Sequence, residues 1–275
     1  MSSGIRRYPD VDAVSGCIRD VVTTAILPRF QRLAHGDIRE KSGPHDLLTV
    51  ADLEAERMLT SRLSALMPGS IVIGEEAVAG NPRLVDALRE PTPAWLIDPI
   101  DGTANFAAGI PLFGTMIALV VNGETRMAWI HDPIRGVTLT AESGSGAYAE
   151  GRRLKVAAPK SLAHMAGVAN LRYGERDLAA RIGARADRVA ALVNFRCAAQ
   201  DYVNLAEGRL HFAFYQRLNP WDHAPGVLIV TEAGGYARRL DGTPYRPTDP
   251  PFSGPFVVAS DEQSWHWLRA ALFAP

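Results

Sequence analysis

Trp95-Leu96-Ile97-Asp98-Pro99-Ile100-Asp101-Gly102-Thr103-Ala104-Asn105-Phe106 carries an apolar run into two carboxylates three residues apart, with a proline between them. Residues 95–97 read as a short buried strand. Pro99 fixes its own φ and Gly102 frees the next turn, so the two acids leave the strand end on a preset backbone. Carboxylates aimed at one place repel each other unless something positive lies between them. An oxygen-rich set of this kind suits Mg²⁺, which when held by a few carboxylates and its own waters typically works on phosphates.

Two further stretches repeat or complete this grammar. Ile71-Val72-Ile73-Gly74-Glu75-Glu76 is again an apolar run, a glycine and a pair of acids. In Asn219-Pro220-Trp221-Asp222-His223-Ala224-Pro225-Gly226, Asp222 stands where a helix is predicted to begin, with Pro225 in its first turn and Gly234-Gly235 as its stop. A lone Asp in that position reads as an N-cap. Beside Glu75, Asp98 and Asp101 it also reads as a metal ligand.

The chain has 275 residues, 47% of them hydrophobic, and a net charge of −1, which is enough for a full core and gives no sign of a disordered tail or a polyanion-binding surface. Cys17 and Cys197 match no ligand or redox spacing and are expected to be reduced core or near-core residues, which points to the cytoplasm. Residues 1–10 are polar without an apolar signal core, and no run approaches the roughly 18 residues of a membrane span.

Periodicity predicts two amphipathic, core-facing helices, through Val14, Ile18, Val21, Val22, Ala25 and Ile26 and through Leu53, Leu59, Leu63 and Leu66. From Gly114 an antiparallel meander is expected over 115–121, 125–131 and 137–141. A strand over 164–169 and a helix through Leu178, Ile182, Val189 and Leu192 follow, with a sub-domain boundary at 155–161. The division is thus about 1–157, holding the metal site, and 158–275, the substrate side. The last helix is expected to start at Ser260, with Gln263 completing a capping box.

Gly-Glu-Glu, Asp-Pro-Ile-Asp-Gly-Thr and Trp-Asp-x-x-x-Gly, in this order, resemble the inositol monophosphatase family, and the resemblance extends to Asp46-Leu47-Leu48-Thr49-Val50-Ala51-Asp52 and Thr231-Glu232-Ala233-Gly234-Gly235. It implies an α/β, αβαβα layered sandwich of the inositol monophosphatase and fructose-1,6-bisphosphatase type. It also implies a homodimer and Mg²⁺-dependent, lithium-sensitive hydrolysis of a small phosphate monoester, with two or three ions per site. Carried over by residue, Glu75, Asp98 and the Ile100 carbonyl would hold one Mg²⁺, and Asp98, Asp101 and Asp222 a second. The Gly102 and Thr103 amides would bind phosphate, and Thr103 with Asp52 would orient and deprotonate the attacking water, Glu75 serving that centre too. Without the resemblance, Asp52 reads as an exposed helix acid among Asp52, Glu54 and Glu56. Glu76 reads as an outer-sphere or structural neighbour, His223 as lining or packing, and Asn105 and Phe106 as fixing the helix after the metal turn. Lys41 is either a charge balance or a flexible surface lysine.

Three positions depart from the family pattern. Tyr215 stands where the family often has a Glu that accepts a hydrogen bond from a substrate hydroxyl. Arg196-Cys197-Ala198-Ala199 replaces Gly-Ser/Thr-Ala-Ala, and His211 replaces an acid. Arg196 and Tyr215 therefore enter as substrate-binding candidates that favour a more anionic substrate, unless Arg196 pairs with Asp201 or Glu207. The same catalysis on a 3′-nucleotide such as phosphoadenosine phosphate, on a bisphosphate or on histidinol phosphate remains open. So does an RNA- or transcription-machinery-binding role, although no basic stripe supports nucleic-acid binding.

Overall fold

The computed structural model describes residues 8–43 and 46–274; of the polar N-terminal stretch, residues 1–7 lie outside the described residues. A hairpin of β1 (Ile38–Gly43) and β2 (Asp46–Thr49) precedes a seven-stranded sheet. In spatial order that sheet is β3 (Ile71–Gly74), β4 (Ala94–Asp101), β5 (Gly114–Val121), β6 (Glu124–Asp132), β7 (Val137–Glu142), β8 (Gly146–Ala149) and β9 (Arg152–Arg153). Only the β3–β4 pair is parallel. The second sheet is mixed, in the order β11 (Ala191–Val193), β10 (Ala166–Ala169), β12 (Phe212–Tyr215), β14 (Phe256–Ala259) and β13 (Tyr236–Arg239). The chain changes sheet between Arg153 and Ala166.

Alternation along the strands sets the layers. Trp95, Ile97, Ile117, Leu119 and Trp129 face α1 (Val11–Val21), its π-helical continuation Val22–Ile26, and α2 (Val50–Leu66). Met116, Ala128, Ile130 and Leu139 face the other way, onto α6 (Ala198–Ala206) and α7 (Pro220–Glu232), which also receive Ala213, Tyr215, Phe256 and Val258 of the second sheet. Phe212, Phe214, Val257 and Ala259 complete the outer layer with α5 (Arg176–Ala184) and α8 (Glu262–Leu268). The result is the α/β/α/β/α order expected. Trp129, fully buried, packs 5.9 Å from the Trp95 ring and donates Nε1–H to the Val11 carbonyl at 3.2 Å. Trp129→Ala is therefore expected to cost about 3–5 kcal/mol in denaturant unfolding.

Several boundaries differ from those expected. The strand does not end at Ile97 but runs to Asp101, because a β-bulge between Asp98 and Asp101 absorbs Pro99, which has no N–H to give the ladder. Leu53 is exposed; the buried stripe of α2 is instead Ala51, Asp52, Ala55, Glu56, Leu59 and Leu63, so two acids lie on its inner face. Val189 and Leu192 fall outside α5, which ends at Ala184, and Leu192 belongs to β11. The cap of α8 is Asp261, whose carboxylate accepts from the Ser264 N–H at 2.6 Å, while the Ser260 hydroxyl has no partner. Asn219, not Asp222, is the N-cap residue of α7, with Pro220 at its first position and Pro225 inside the helix.

Candidate functional site

The β4 bulge turns Asp98 and Asp101 out of the sheet at the seam where α3 (Glu75–Gly80), α6 and α7 begin. Glu75 opens α3, and Asp222 lies in the first turn of α7. Carboxylate oxygens of Glu75, Asp98 and Asp222 all lie within 4.8 Å of one another. Asp101 is not one of these converging carboxylates, although its charge acts on Asp98 and Asp222; its Oδ2 accepts from the Ala199 N–H at 2.6 Å and from the Cys197 thiol at 3.0 Å. Cys197 is thus buried as expected, but it also fixes a site carboxylate.

Burial, then repulsion from Glu75, Asp101 and Asp222, drives the Asp98 pKa well above the carboxylate range. Asp222 is raised by burial and then by Glu75 and Asp101, and Asp101 is pushed up to about 6, mainly by burial. Among the described residues the buried Asp98 Oδ1 atom has no hydrogen-bond partner. Converging oxygens that repel, with one lone pair set left unmet, fit a hard divalent cation better than any internal pairing. Lys41 supplies part of the counter-charge: Nζ lies 2.7 Å from Glu75 Oε1, 3.0 Å from Glu76 Oε1 and 3.8 Å from Asp46. Burial works against its charge, but Glu75 and Glu76 outweigh that and hold its pKa above the usual lysine value. Lys41 is therefore a charge balance and not a flexible surface residue. Burial and Glu75 push Glu76 up to about 8.

Gly102 adopts φ +85°, and a Cβ there would stand 2.9 Å from the Leu112 carbonyl, so the bend into α4 (Thr103–Ala107) requires glycine. The Thr103 hydroxyl lies 2.9 Å from the Ile100 carbonyl and 3.2 Å from Asp52 Oδ1, and its single proton serves one of them at a time. Asp52 is 1% exposed, the opposite of a surface helix acid, and its Oδ2 accepts from Thr49 N–H and Oγ1–H at 2.8 and 2.5 Å. Burial lifts it to about 7 against those bonds. Asn105 ties α4 in place by donating to the Leu112 and Phe195 carbonyls, each at 2.8 Å, and Phe106 packs edge-on against Phe113.

Glu56, expected with Glu54 among exposed helix acids, is buried. Its carboxylate accepts from the Glu76 and Ala77 N–H groups at 2.8 and 2.9 Å and so fixes the start of α3, where Glu75 is presented. A Cβ on Gly74 would collide with this carboxylate, which explains the glycine of Gly-Glu-Glu. A buried acid four residues beyond Asp52 on the same helix face was the signal available. Glu56→Ala strands two backbone donors and is expected to cost about 2–4 kcal/mol in denaturant unfolding, with a higher Mg²⁺ concentration needed for half-maximal activity.

A cleft of about 450 Å³ opens over the acids, and its lining includes Arg172, Arg196, Tyr215 and Arg217, the last of which lies near enough to Asp222 to favour its charged form. The Tyr215 hydroxyl donates to Asp201 Oδ2 at 3.0 Å. His223, whose pKa burial lowers to about 3, stays neutral: Nε2 faces the Arg217 carbonyl at 3.0 Å and Nδ1 the Tyr202 hydroxyl at 2.8 Å, assigning the Nε2–H tautomer from its partners. It packs as expected. His211 lies outside the cleft, its Nδ1 accepting from the Ala166 N–H at 3.1 Å.

Residues 11–273 match the profile described as the inositol monophosphatase family. The chain is 33% identical over 207 residues to the fructose-1,6-bisphosphatase/inositol-1-monophosphatase of Thermotoga maritima, covering 75% of this chain and 76% of that one. It is 32% identical over 215 residues to the inositol-1-monophosphatase of Bacillus subtilis, covering 76% and 78%. Among solved structures, it is similar to extragenic suppressor protein suhB from Bartonella henselae at a TM-score of 0.78 and 27% identity, covering 95% of this chain and 96% of that one. A Thermotoga maritima IMPase matches at a TM-score of 0.77 and 28% identity, covering 96% and 94%.

Proposed function

This chain belongs to the inositol monophosphatase family and is a phosphoric monoester hydrolase, and from that premise we propose that it acts on a small phosphate monoester with Mg²⁺ held by Glu75, Asp98, the Ile100 carbonyl, Asp101 and Asp222. The observation that carries the metal assignment is the convergence of carboxylate oxygens of Glu75, Asp98 and Asp222 within 4.8 Å of one another. Bound Mg²⁺ would supply an activated water and stabilise the departing alkoxide.

The chain's own groups divide the rest of the work. Asp98 lies close to both Glu75 and Asp222 and so suits a shared ligand. Asp101 is preset by the Ala199 amide and the Cys197 thiol, which both bind its Oδ2. Thr103, held between Asp52 and the Ile100 carbonyl, is placed to orient the attacking water and pass its proton toward Asp52. The Gly102 and Thr103 amides bind phosphate oxygens, and Arg196 and Tyr215 line the substrate end. Lithium sensitivity and a homodimer belong to the same reading. Two free cysteines support a cytoplasmic setting. Among the described residues no helix is long and apolar enough to cross a membrane.

The test is phosphate release from inositol phosphate, sugar phosphates, histidinol phosphate and 3′-phosphoadenosine phosphate, with and without Mg²⁺. Mg²⁺-dependent turnover of at least one is expected; none from any would overturn the reading.

A further inference from the structure

The first turn of α6 and the cap residue before it present the two groups that hold Asp101, the Ala199 N–H and the Cys197 thiol. They reach the carboxylate because the start of α6 packs across β5 and β6. Gly114, the β5 residue paired with Asp101, makes room for that approach, since a Cβ there would stand 2.6 Å from the Ala199 Cβ. An alanine laid on a glycine is an apolar contact without direction, so it brings the helix close and does not fix where the helix starts.

Gln200 supplies the direction. It is 6% exposed, and its Nε2 donates to the Phe113 carbonyl at 3.2 Å and to Asp132 Oδ2 at 3.1 Å, which uses both amide protons. Two oxygen acceptors on one atom also assign which end of the amide is nitrogen. Phe113 directly precedes Gly114 and Asp132 closes β6, so one side chain ties α6 to two paired strands beside the β4 bulge. Asp132 is itself held, its Oδ1 accepting from the Ile134 and Arg135 N–H groups at 3.0 Å each. The far end of α6 is gripped by the same turn, where Arg135 binds both oxygens of Glu207, the C-cap residue of the helix. A buried amide with both donors met sets a single position, where an apolar side chain of the same length would only fill space.

We propose that Gln200 is a positioning residue of the metal centre: with Asp132 it holds the first turn of α6 where Ala199 and Cys197 keep the Asp101 carboxylate in place for the cation. This rests on the metal reading above and extends it to a residue that does not line the cleft. Gln200 acts only through Asp101, so its loss weakens occupancy by Mg²⁺ without removing a ligand.

The experiment reads the Mg²⁺ concentration that gives half of the thermal shift in chelator-treated protein. Gln200→Met keeps the length and removes both donors, and is expected to raise that concentration about fivefold or more, near the lower edge of the ~10–100-fold loss that follows removal of a ligand's own partner. Asp132→Asn keeps Oδ1 for the turn and removes one acceptor of Gln200, so it should act in the same direction by a smaller factor. Should Gln200→Met not fold, Asp132→Asn carries the same comparisons. In Asp101→Ala, which gives α6 no carboxylate to hold, Gln200→Met should move the midpoint by less than about twofold, whereas a merely structural residue would add its effect there too. Glu207→Gln loosens the other end of α6 and should lower the unfolding temperature while leaving the Mg²⁺ midpoint within about twofold. In metal-free Cys17→Ser protein, where Cys197 is the remaining thiol, Gln200→Met should speed reaction with an aromatic disulfide by about tenfold or more, because the released turn exposes a buried group.

An unchanged Mg²⁺ midpoint in Gln200→Met, an equal rise in the Asp101→Ala background, or an equal rise in Glu207→Gln would overturn the proposal while leaving the metal reading in place. If the wild-type protein shows no Mg²⁺ shift, the metal reading itself fails. The thiol rate then decides by itself whether Gln200 holds the turn: faster in the variant supports it, and an unchanged rate overturns it.

Discussion

Asp98→Asn is expected to lower kcat/KM by about 10³-fold or more, equivalent to ~4 kcal/mol of transition-state stabilisation, while the protein keeps its fold. The isosteric amide fits the β4 bulge, but it removes one negative charge from the centre of the carboxylate set and offers one oxygen where the carboxylate offers two. The sign of the stability change is also fixed. Asp98 has a folded pKa raised above its unfolded value, so its contribution is favourable below the unfolded pKa near 3.9 and is lost as pH rises through the folded value. In chelator-treated protein at neutral pH, Asp98→Asn should therefore unfold at the same temperature as wild type or higher, and that advantage should fade toward pH 4. Thermal unfolding with and without Mg²⁺ checks this, because wild type should gain more from Mg²⁺ than the variant. A variant with wild-type turnover would remove Asp98 from the metal site.

Thr103→Ala is expected to lower kcat by about 10²–10⁴-fold, the range for losing a positioned proton-transfer group. The hydroxyl lies between Asp52 and the Ile100 carbonyl, and its removal leaves Asp52 Oδ1 without the partner that relates it to the cleft. Thr103→Ser keeps the hydroxyl and should recover most of the loss, whereas Asp52→Asn should resemble Thr103→Ala. Equal losses in the Ala and Ser variants would mean that the methyl group and its packing matter and the proton path does not. KM for the monoester should change less than kcat in both, since neither group is asked to bind the substrate.

The strands and helices of the first part were legible because the apolar runs of β4 and β5 and the 3.6-residue period of α1 are strong local signals, while the layered order came from the family resemblance. Residues such as Trp95, Ile97, Ile117 and Trp129 needed no knowledge of their partners to be placed inward. Glu75, Asp98, Asp101 and Asp222 were legible as a set since each adjoins a glycine or a proline or lies in a helix's first turn, where backbone geometry is predictable. What escaped the sequence depended on contacts between distant segments. Asp52 and Glu56 looked like surface acids because an apolar-only count of α2 selected Leu53, yet β2, α3 and α4 close over the opposite face. Pro99 suggested a strand end, and only the pairing of β4 with β5 reveals a bulge instead. Cys197 gave no local hint of Asp101, which lies 96 residues earlier. For Arg196, sequence left pairing with Asp201 or Glu207 open; among the described residues Glu207 pairs with Arg135, Arg152 and Arg209 instead, and Arg196 makes no ion pair with Asp201.

The central claim is that the Glu75–Asp98–Asp101–Asp222 cluster works as a Mg²⁺-loaded hydrolytic centre. Its most direct test is phosphate release from a small monoester by chelator-treated protein, titrated with Mg²⁺, wild type beside Asp98→Asn. The account predicts negligible release without metal, saturable recovery in wild type and almost none in the variant. Metal-independent release, or equal recovery in both proteins, would contradict it.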